Sequence, residues 1–397
     1  MTGTPCEEET MLYLILPCGN SFGWGICGKY LVRELSDFTE VGLISEAFDL
    51  QTIADELDFH FLNSKRIDPN DISAVTAQNG QGVDRPVLQA ITDHNLQPWY
   101  MRVKGPFTAG YTFFENNILD PRYIEDGKNY FDLIVTGSTW CESVLKDHGL
   151  ENVTTVVQGV DPQLFNPWHS EKSLFKDRFV IFSGGKFELR KGQDIVIKAY
   201  KVLQDRHPDV MLVNAWFNPW PFSLKTMESS PHIKCTLTDG DGLQAINRVL
   251  FENGIDLQRV ITLLPRSNAQ MARLYKNTDI GLFPNRCEGG TNLVLMEYMA
   301  CAKPVIASYS SGHKDILNPA NAMLIRNMRP MNISSDGQLH AIWDDPDVDE
   351  TIAHLEAAYQ NRKDLALKGE QAGKDLASFT WKNTATSFYR LLTHPSL

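Results

Sequence analysis

The sequence predicts an α/β protein built from two Rossmann-like domains, and three observations lead to this fold class. The chain has 397 residues, about twice the length that one ordinary hydrophobic core organises. Strand-like apolar runs alternate with helical patterns, which is typical of a mainly parallel sheet. The same opening, an apolar strand followed by a glycine-rich turn and a helix, occurs near residue 11 and again near residue 178. We therefore expect two domains of about 200 residues each.

Composition limits the classes of function. Apolar residues make up 43% and charged residues 22% of the chain, as in folded soluble proteins. The formal net charge of −12 argues against nucleic acid as a partner, because phosphate backbones attract a basic face. Seven cysteines without a CxxC pair indicate reduced thiols. The start, MTGTPCEEET, lacks the basic segment of a signal peptide, and no apolar run has the roughly 20 residues that span a bilayer. We expect a cytoplasmic protein, with contact to a membrane surface left open.

The first predicted strand covers Met11 to Leu16 and leads through PCGNSFGWGICG into a helical pattern, KYLVREL. A glycine-rich turn at the carboxyl end of a strand is where Rossmann-like domains bind ligands. The spacing is not GxGxxG, so nicotinamide binding is poorly supported. Gly23 and Gly25 lie in this turn. A tight strand-to-helix turn without a ligand would also need glycine.

Further strands of the first domain are predicted at VGLIS, ISAVTA, WYMRV and FDLIVTG. Between the last two strands, Glu115 closes the aromatic run GPFTAGYTFFENN. Glu115 is either a functional carboxylate or an ordinary capping or surface glutamate.

The second domain opens with RFVIFSGGKFELRKGQ, which predicts an apolar strand, a glycine turn and a basic loop. Lys186, Arg190 and Lys191 place three cations close together in an otherwise acidic protein. Such cations beside a glycine turn can neutralise a diphosphate without a metal ion. The alternative is a solvated basic loop that binds nothing.

An aspartate pair, Asp239 and Asp241, has the spacing of a DxD metal motif. Metal binding would need a strand that delivers both carboxylates to one site. The pair instead lies in TDGDG, a polar turn that favours a surface loop. The sequence therefore predicts no metal site here.

The stretch from Cys287 to Ser308 predicts a loop, a helix and a strand in that order. Gly289, Gly290 and Thr291 come where the first backbone N–H groups of the helix would point. A helix start of this kind binds phosphate through its amides and its dipole, and glycine lets a ligand approach the backbone.

Two glutamates accompany this stretch, Glu288 in the loop and Glu297 in the helix. An acid near a helix start is often only a partner of the helix dipole. Glu297 is surrounded by the apolar residues of LVLMEYMA, however, and a half-buried carboxylate needs hydrogen-bond donors. The two hydroxyls of a ribose could supply them.

This stretch, the basic loop and the linker GVDPQLF together resemble the GT4-type retaining glycosyltransferases, enzymes of the GT-B fold. The resemblance runs in order from about Leu12 to Leu392. The family usually has seven residues between its two glutamates, whereas eight separate Glu288 from Glu297. Counting back from Glu297 places Gly289 at the first acidic position.

The resemblance implies roles for individual residues. Lys186 and Lys191 would grip the donor diphosphate, and Glu297 would hold the ribose. Glu288 or neighbouring amides would orient the hexose, and Glu115 would face the reacting sugar from the N-terminal domain. The expected catalytic residues are Lys191, Lys186, Glu115 and Glu288. The expected donor-binding residues are Glu297, Gly289, Gly290, Thr291, Asn292, Leu293, Gly185, Arg190 and Arg266.

The resemblance also implies the arrangement of the domains. An N-terminal acceptor-binding domain over 1–166 and a C-terminal donor-binding domain over 167–375 would face each other across a cleft. The loop with Gly23 and Gly25 would face this cleft from the N-terminal domain. Gly159 to Phe165 would mark the hinge, and the last helix, over 376–397, would pack back on the N-terminal domain. Gly312 matches a glycine of the family, whereas His313 is expected to be a surface or capping histidine. Before a predicted helix at VDETIAHLEAAYQ, the residues WDDPD are expected to form an acidic capping turn.

The implied activity is transfer of a hexose-type sugar, with retention, from a nucleotide-diphosphate sugar to an acceptor hydroxyl. A UDP-sugar is favoured, with a GDP-sugar next, and no metal or other cofactor is required. The acceptor could be a glycan, a lipid, a protein or a small molecule, and the sequence does not choose among them. Two alternatives stay open. One is a sugar phosphorylase or nucleotide-sugar epimerase of the same fold, and the other is an inactive relative that serves as a binding or scaffold protein.

Overall fold

The structure is a computed structural model that describes residues 11–53, 55–73, 82–169, 171–237, 242–335 and 337–394. Its strands are β1 (Leu12–Ile15), β2 (Val41–Ile44), β3 (Arg66–Ile67), β4 (Val87–Thr92), β5 (Gln97–Pro98), β6 (Thr108–Thr112), β7 (Leu133–Thr136), β8 (Val153–Thr155), β9 (Phe179–Gly184), β10 (Val210–Ala215), β11 (Val260–Thr262), β12 (Ile280–Phe283), β13 (Val305–Ser308), β14 (Met323–Ile325), β15 (Met328–Ser335) and β16 (Gln338–Pro346). Its helices are α1 (Gly23–Leu35), α2 (Glu56–Lys65), α3 (Pro121–Tyr130), α4 (Thr139–Asp147), α5 (Gln193–Arg206), α6 (Pro221–Leu224), α7 (Gly242–Glu252), α8 (Met271–Lys276), α9 (Leu293–Ala300), α10 (Val348–Gln360), α11 (Arg362–Leu376) and α12 (Trp381–Thr393).

The chain divides into two compact units. Unit 1 comprises Met1–Phe114, Leu119–Gly159 and Phe379–Leu397. Unit 2 comprises Glu115–Ile118 and Val160–Ser378. Two pieces of the chain therefore pack away from their sequence neighbours: a four-residue segment before α3 belongs to unit 2, and the last helix belongs to unit 1.

Unit 1 is built on a sheet with the strand order β3-β2-β1-β4-β6-β7-β8, in which all these pairs are parallel. β5 pairs with β4 in the antiparallel direction. The C-terminal helix α12 packs on α1, where the rings of Tyr30 and Trp381 stack with centroids 5.3 Å apart. Thr384 adds a hydrogen bond from its hydroxyl to Val157 O at 3.0 Å. The helix therefore completes the core of unit 1.

Unit 2 is built on a second parallel sheet, with the strand order β11-β10-β9-β12-β13-β14. Every residue of β9, β12 and β13 is buried, because a central strand of a parallel sheet is covered by helices on both faces. The apolar core around β9 includes Phe179, Ile181, Trp216 and Leu355. β15 and β16 form a separate antiparallel hairpin.

The predicted α/β class and the two parallel sheets are confirmed, and so are most of the predicted strands. WYMRV is not a strand, since residues 99–103 run irregularly after β5. Two neighbouring strands, β4 and β6, were missed, as was the hairpin. The first two residues of ISAVTA are helical, and the rest of it lies outside the described residues. No helix within the described ranges is long and apolar enough to cross a bilayer.

The expected capping turn WDDPD is only partly correct. Asp347 does cap α10, because its carboxylate accepts a hydrogen bond from Glu350 N at 2.8 Å. The preceding residues, Trp343 to Pro346, form the end of β16 instead of a turn. Their partners in β15 are 12 to 18 positions away along the chain, from Met331↔Trp343 to Met328↔Pro346, so local sequence alone did not indicate the pairing.

Candidate active site

The first loop of the site follows β9. The strand ends at Gly184, and Gly185 has φ +120°, a conformation that L side chains rarely adopt. A 3-10 turn over Leu189–Lys191 then leads into α5. The loop that carries Lys186 and Arg190 therefore lies at the carboxyl end of a central parallel strand, where open α/β sheets bind ligands.

The second loop follows β12, the strand that pairs with β9, and ends at the start of α9. Asn292 is the N-cap of this helix, with φ +64°, and its side chain accepts a hydrogen bond from Leu295 N at 3.4 Å. Because β9 and β12 are neighbours in a parallel sheet, both loops leave the sheet at the same edge. Glu288 is thereby brought to the basic loop.

A third loop, the 3-10 turn Ser311–Asp315 after β13, packs against the second. Gly312 N donates a hydrogen bond to Glu288 O at 3.0 Å, and Glu288 N donates one to Ser311 Oγ at 2.8 Å. A Cβ atom on Gly312 would lie 1.9 Å from Gly290 O, so no other residue fits there without moving the backbone. Gly312 thus allows the close approach that fixes the second loop.

Arg190 is 9% exposed and contacts three carboxylates from separate parts of the chain. Its Nη1 lies 3.2 Å from Glu115 Oε1 and 3.1 Å from Glu288 Oε2, and its Nη2 lies 2.7 Å from Glu188 Oε1. Nη1 also donates a hydrogen bond to Cys287 O at 3.0 Å. The guanidinium is therefore surrounded by acceptors that the protein itself provides.

The two lysines of the basic loop are also paired. Lys191 Nζ donates a hydrogen bond to Glu288 Oε1 at 2.6 Å, and Asn285 Nδ2 donates to the same oxygen. Lys186 Nζ lies 3.3 Å from Glu188 Oε2 and 5.0 Å from the centre of the Trp220 ring. Three cations and three carboxylates thus balance one another in this cluster.

Residues 228–335, which include the second and third loops of the site, match the sequence model of the family described as Glycosyl transferases group 1. This stretch of the chain is therefore similar to the group 1 glycosyltransferases.

Curated glycosyltransferases match parts of the chain at low identity. A D-inositol 3-phosphate glycosyltransferase of Paenarthrobacter aurescens is 23% identical over 279 residues, which is 67% of this chain and 59% of that protein. A GDP-mannose-dependent alpha-(1-6)-phosphatidylinositol monomannoside mannosyltransferase of Mycolicibacterium smegmatis is 27% identical over 166 residues, which is 39% of this chain and 37% of that protein. The matched part therefore spans less than two thirds of either relative.

Solved structures match the fold along almost the whole chain. Sucrose-phosphate synthase of Thermosynechococcus elongatus superposes with a TM-score of 0.68 at 15% identity, covering 96% of this chain and 98% of that one. Anabaena HepE in complex with UDP and glucose gives a TM-score of 0.64 at 14% identity, covering 97% and 100%. These neighbours confirm the predicted GT-B fold class.

Within the site, the buried charges hold one another in their ionised forms. Burial alone would raise the pKa of Glu288, but Lys191 and Arg190 lower it to about 2. Burial likewise opposes ionisation of Glu188, and Arg190 and Lys186 outweigh it, so that its pKa is also lowered. Burial lowers the pKa of Lys191, and the charge of Glu288 offsets part of that shift.

His313 is a buried part of the site and not the surface or capping residue that the sequence suggested. It is 1% exposed, and burial lowers its pKa to about 4, so the ring is neutral near pH 7. Nδ1 lies 3.0 Å from Ser308 O, an acceptor only, and Nε2 lies 3.3 Å from Asn292 Nδ2, a donor. The proton is therefore on Nδ1, and Nε2 accepts the hydrogen bond from the N-cap of α9.

Glu297 is 4% exposed and lies in a separate polar group on the inner side of α9. Asn268 Nδ2 donates to its Oε1 and the Tyr275 hydroxyl to its Oε2, each at 3.1 Å. Burial raises the pKa of Glu297 to about 7, although these two donors oppose the shift. The sequence predicted that this carboxylate needs hydrogen-bond donors, and the protein itself supplies two of them.

The structure brings together only some of the residues that the sequence singled out. Lys186, Arg190, Lys191 and Glu288 form one cluster with Glu115. The loop residues Gly185, Gly289, Gly290, Thr291, Asn292 and Leu293 line the same edge of the unit 2 sheet. Arg266 is exposed and makes none of these contacts, although Asn268, two positions later, reaches Glu297.

Two predicted placements need correction. Glu115 was expected to act from the N-terminal domain, but the segment Glu115–Ile118 belongs to unit 2, where the hairpin holds it by hydrogen bonds. Gly23 and Gly25 were expected in a loop, but they lie in the first turn of α1, because the backbone is already helical from Gly23 onward. Gly25 there packs against the preceding turn, since a Cβ atom would lie 2.8 Å from Gly19 N.

Several site residues were missed by sequence reasoning. Glu188 stands two positions before Arg190, and the alternating charges of KFELRK were a signal that could have identified it. Asn268, Tyr275 and Ser311 had no such signal, because their roles depend on which loops meet. Asp239 and Asp241 lie outside the described residues. Among the residues that are described, no group of three or more His, Cys, Asp or Glu side chains could hold a metal ion.

Proposed function

We propose that this chain is a retaining glycosyltransferase that moves a hexose from a nucleotide-diphosphate sugar to an acceptor hydroxyl without a metal ion. The observation that carries the proposal is the charge cluster at the edge of the unit 2 sheet, next to the start of α9, in which Arg190 and Lys191 contact Glu288 and Lys186 contacts Glu188. Fixed cations and helix-start amides can stabilise a departing diphosphate in place of a metal ion.

The existing contacts suggest how the donor would be held. Lys191 would exchange its contact with Glu288 for a phosphate oxygen, and Lys186, the more exposed of the two lysines, would take another. Glu288 would remain bound to Arg190 through Oε2 and present Oε1 to a sugar hydroxyl. In such an arrangement the leaving diphosphate gains charge where Lys191 and Lys186 already stand, and charge stabilisation provides the main catalytic effect.

Glu297 is assigned to the nucleotide ribose. Each of its carboxylate oxygens accepts one hydrogen bond from the protein and keeps further lone-pair capacity. Two ribose hydroxyls could donate to it. The acceptor hydroxyl would attack on the face from which the diphosphate departs, which gives retention at the anomeric carbon.

UDP-sugars are the first donors to test and GDP-sugars the next. HepE was solved with UDP and glucose, and one relative is named as GDP-mannose-dependent. Relatives are also named for inositol 3-phosphate and for a phosphatidylinositol monomannoside, so D-inositol 3-phosphate is a suitable first acceptor.

Thermal stabilisation by UDP, GDP and ADP without added metal tests the nucleotide site, since a ligand that binds only the folded state raises its stability. We expect a shift with one nucleotide, weakened in Glu297→Ala. Turnover of the matching donor then separates the alternatives. Binding without any turnover would indicate a scaffold protein, phosphate-dependent turnover a phosphorylase, and conversion of the donor sugar alone an epimerase. No shift with any nucleotide would overturn the proposal.

A further inference from the structure

The β15–β16 hairpin lies outside the unit 2 sheet, and the segment Glu115–Ile118 runs along its outer strand, β16. Ile118 N donates to His340 O at 3.1 Å. Asn117 Nδ2 donates to Ile342 O at 3.1 Å, and Ile342 N donates back to Asn117 Oδ1 at 2.9 Å. The segment is therefore held against β16 by one backbone hydrogen bond and by two hydrogen bonds of the Asn117 side chain.

The hairpin is in turn fixed to the second loop of the site. Asp345 Oδ1 lies 2.7 Å from Nε of Arg286, a side chain with no exposed area, and Asp344 N donates to Arg286 O at 3.3 Å. Arg286 also forms two 2.8 Å hydrogen bonds to the buried Asp194. The hairpin is thus attached to the fully buried side chain of Arg286, two positions before Glu288.

One hydrogen bond connects this support to the charge cluster. Trp343 Nε1 donates to Glu115 O at 2.8 Å. The carboxylate of the same residue lies 3.2 Å from Arg190, which lies 3.1 Å from Glu288. The backbone of Glu115 is therefore held from the hairpin, and its side chain reaches the residue that holds Glu288.

We propose that the β15–β16 hairpin is a positioning element of the site and that Trp343 acts by holding Glu115 in place beside Arg190. The proposal rests on the proposed function, in which Glu288 orients the hexose of the donor. With Glu115 displaced, Arg190 would keep only two carboxylates and would draw Glu288 away from the sugar. The diphosphate and the ribose are bound elsewhere in the site, so their binding would not change.

The proposed role predicts different effects on two measurements, the affinity for UDP and the rate of UDP release from UDP-glucose. UDP carries no hexose, so its affinity reports only on the nucleotide part of the site. Release of UDP from UDP-glucose depends on the hexose as well, and it needs no knowledge of the acceptor. A residue that only supported the fold would change both measurements together, or neither of them.

The test uses Trp343→Phe, which keeps an aromatic ring and removes the N–H donor. We expect kcat for UDP release to fall about 5- to 10-fold, as the loss of one hydrogen bond predicts, with UDP affinity within about twofold of wild type. Asn117→Ala removes two hydrogen bonds of the same segment and should give the same separation if the Phe variant folds poorly. Ser335→Ala, an exposed position at the end of β15, is the matched control and should leave both measurements unchanged.

A double variant completes the design. Trp343→Phe combined with Glu115→Gln should lose no more activity than Glu115→Gln alone, because both changes remove the same effect. Additive losses, or Trp343→Phe and Asn117→Ala variants as active as wild type, would overturn the positioning role and leave the proposed function intact. GDP and GDP-mannose replace the probes if the wild type binds GDP instead. A wild-type protein that neither binds nor turns over these ligands would overturn the proposed function and this proposal with it.

Discussion

Arg190 shows at the scale of a single residue why a basic loop is not automatically a phosphate site. Three carboxylates and one carbonyl oxygen already surround its guanidinium. Burial opposes its charge, yet Glu115 and Glu288 raise its pKa above the ordinary arginine value. Removing any one partner would leave charge unbalanced in a buried place. In the proposed mechanism, contact with the diphosphate is therefore assigned to Lys186 and Lys191.

Lys191→Ala tests the charge that would face the departing diphosphate. We expect turnover to fall about 10²- to 10³-fold, the range seen when one fixed electrostatic contact to a transition state is lost. The free energy of unfolding should fall by at most a few kcal/mol, because Glu288 keeps its contacts with Arg190 and Asn285. Lys201→Ala, a partly exposed lysine paired with Asp205 in the same unit, is the control. If stability fell while turnover per folded molecule stayed at the wild-type level, Lys191 would have no catalytic role.

The raised pKa of Glu297 predicts that the stability of the protein depends on pH. Its pKa is about 7 in the folded chain against an ordinary 4.5, so between these values the folded state binds more protons than the unfolded state. Stability therefore falls as pH rises through this range. Glu297→Gln cannot ionise, and the Tyr275 hydroxyl can accept as well as donate a hydrogen bond.

Relative to wild type, Glu297→Gln should gain about 2 kcal/mol in unfolding free energy between pH 5 and pH 8. Urea unfolding at several pH values measures this difference, and other titrating groups such as His313 cancel in the comparison. If the unfolding free energies of the two proteins depended on pH in the same way, burial would not raise the pKa of Glu297.

At the scale of secondary-structure elements, Arg286 connects a helix, a strand and a loop. It binds Asp194 at the start of α5, Asp345 at the end of β16 and Leu189 O in the basic loop. Burial alone would lower its pKa, but the two aspartates raise it. A buried ion pair of this kind adds little net stability over an apolar pair, yet breaking it leaves a charge without a partner.

Arg286→Met should therefore lower the free energy of unfolding by about 3–5 kcal/mol, because Asp194 is left buried and unbalanced. Adding Asp194→Asn should restore part of that loss, because the remaining group is neutral. Urea unfolding of the single and double variants measures both effects. A double variant less stable than Arg286→Met would contradict the charge explanation and point to packing instead.

At the scale of the whole molecule, the chain returns to unit 1 after completing unit 2. α12 brings Trp381, Ala385, Phe388 and Leu392 into the core of unit 1, all nearly fully buried. Gly159, the last residue of unit 1 before unit 2, lies so close to this helix that a Cβ atom would be 2.2 Å from Trp381 N. The core of unit 1 is therefore incomplete without α12.

Truncation after Ser378 should destabilise unit 1 selectively. Each large apolar side chain lost from the core removes about 1.5–3 kcal/mol of burial. Amide hydrogen exchange in α1 should accelerate at least about 100-fold, while exchange in α5 of unit 2 stays close to that of the full chain. Equal acceleration in both helices would mean that α12 stabilises the molecule as a whole.

The sequence by itself determined the elements that local patterns encode. The apolar runs that became β1, β2, β7, β9, β10, β12 and β13 were evident, because both faces of a parallel strand are buried and the run is continuously apolar. The basic loop and the start of α9 were recognised in the same way. Each depends on residues a few positions apart, which constrain one another through the backbone.

Only the tertiary structure decided which of these residues meet. Lys191 and Glu288 are 97 positions apart, and they pair because β9 and β12 are neighbours in the sheet. Glu115 and Trp343 are 228 positions apart, and their hydrogen bond depends on a hairpin that no local pattern predicted. His313 became a buried ring for the same reason. Burial and ion pairing belong to the packed arrangement of strands and loops, and the pattern of neighbours along the chain does not contain them.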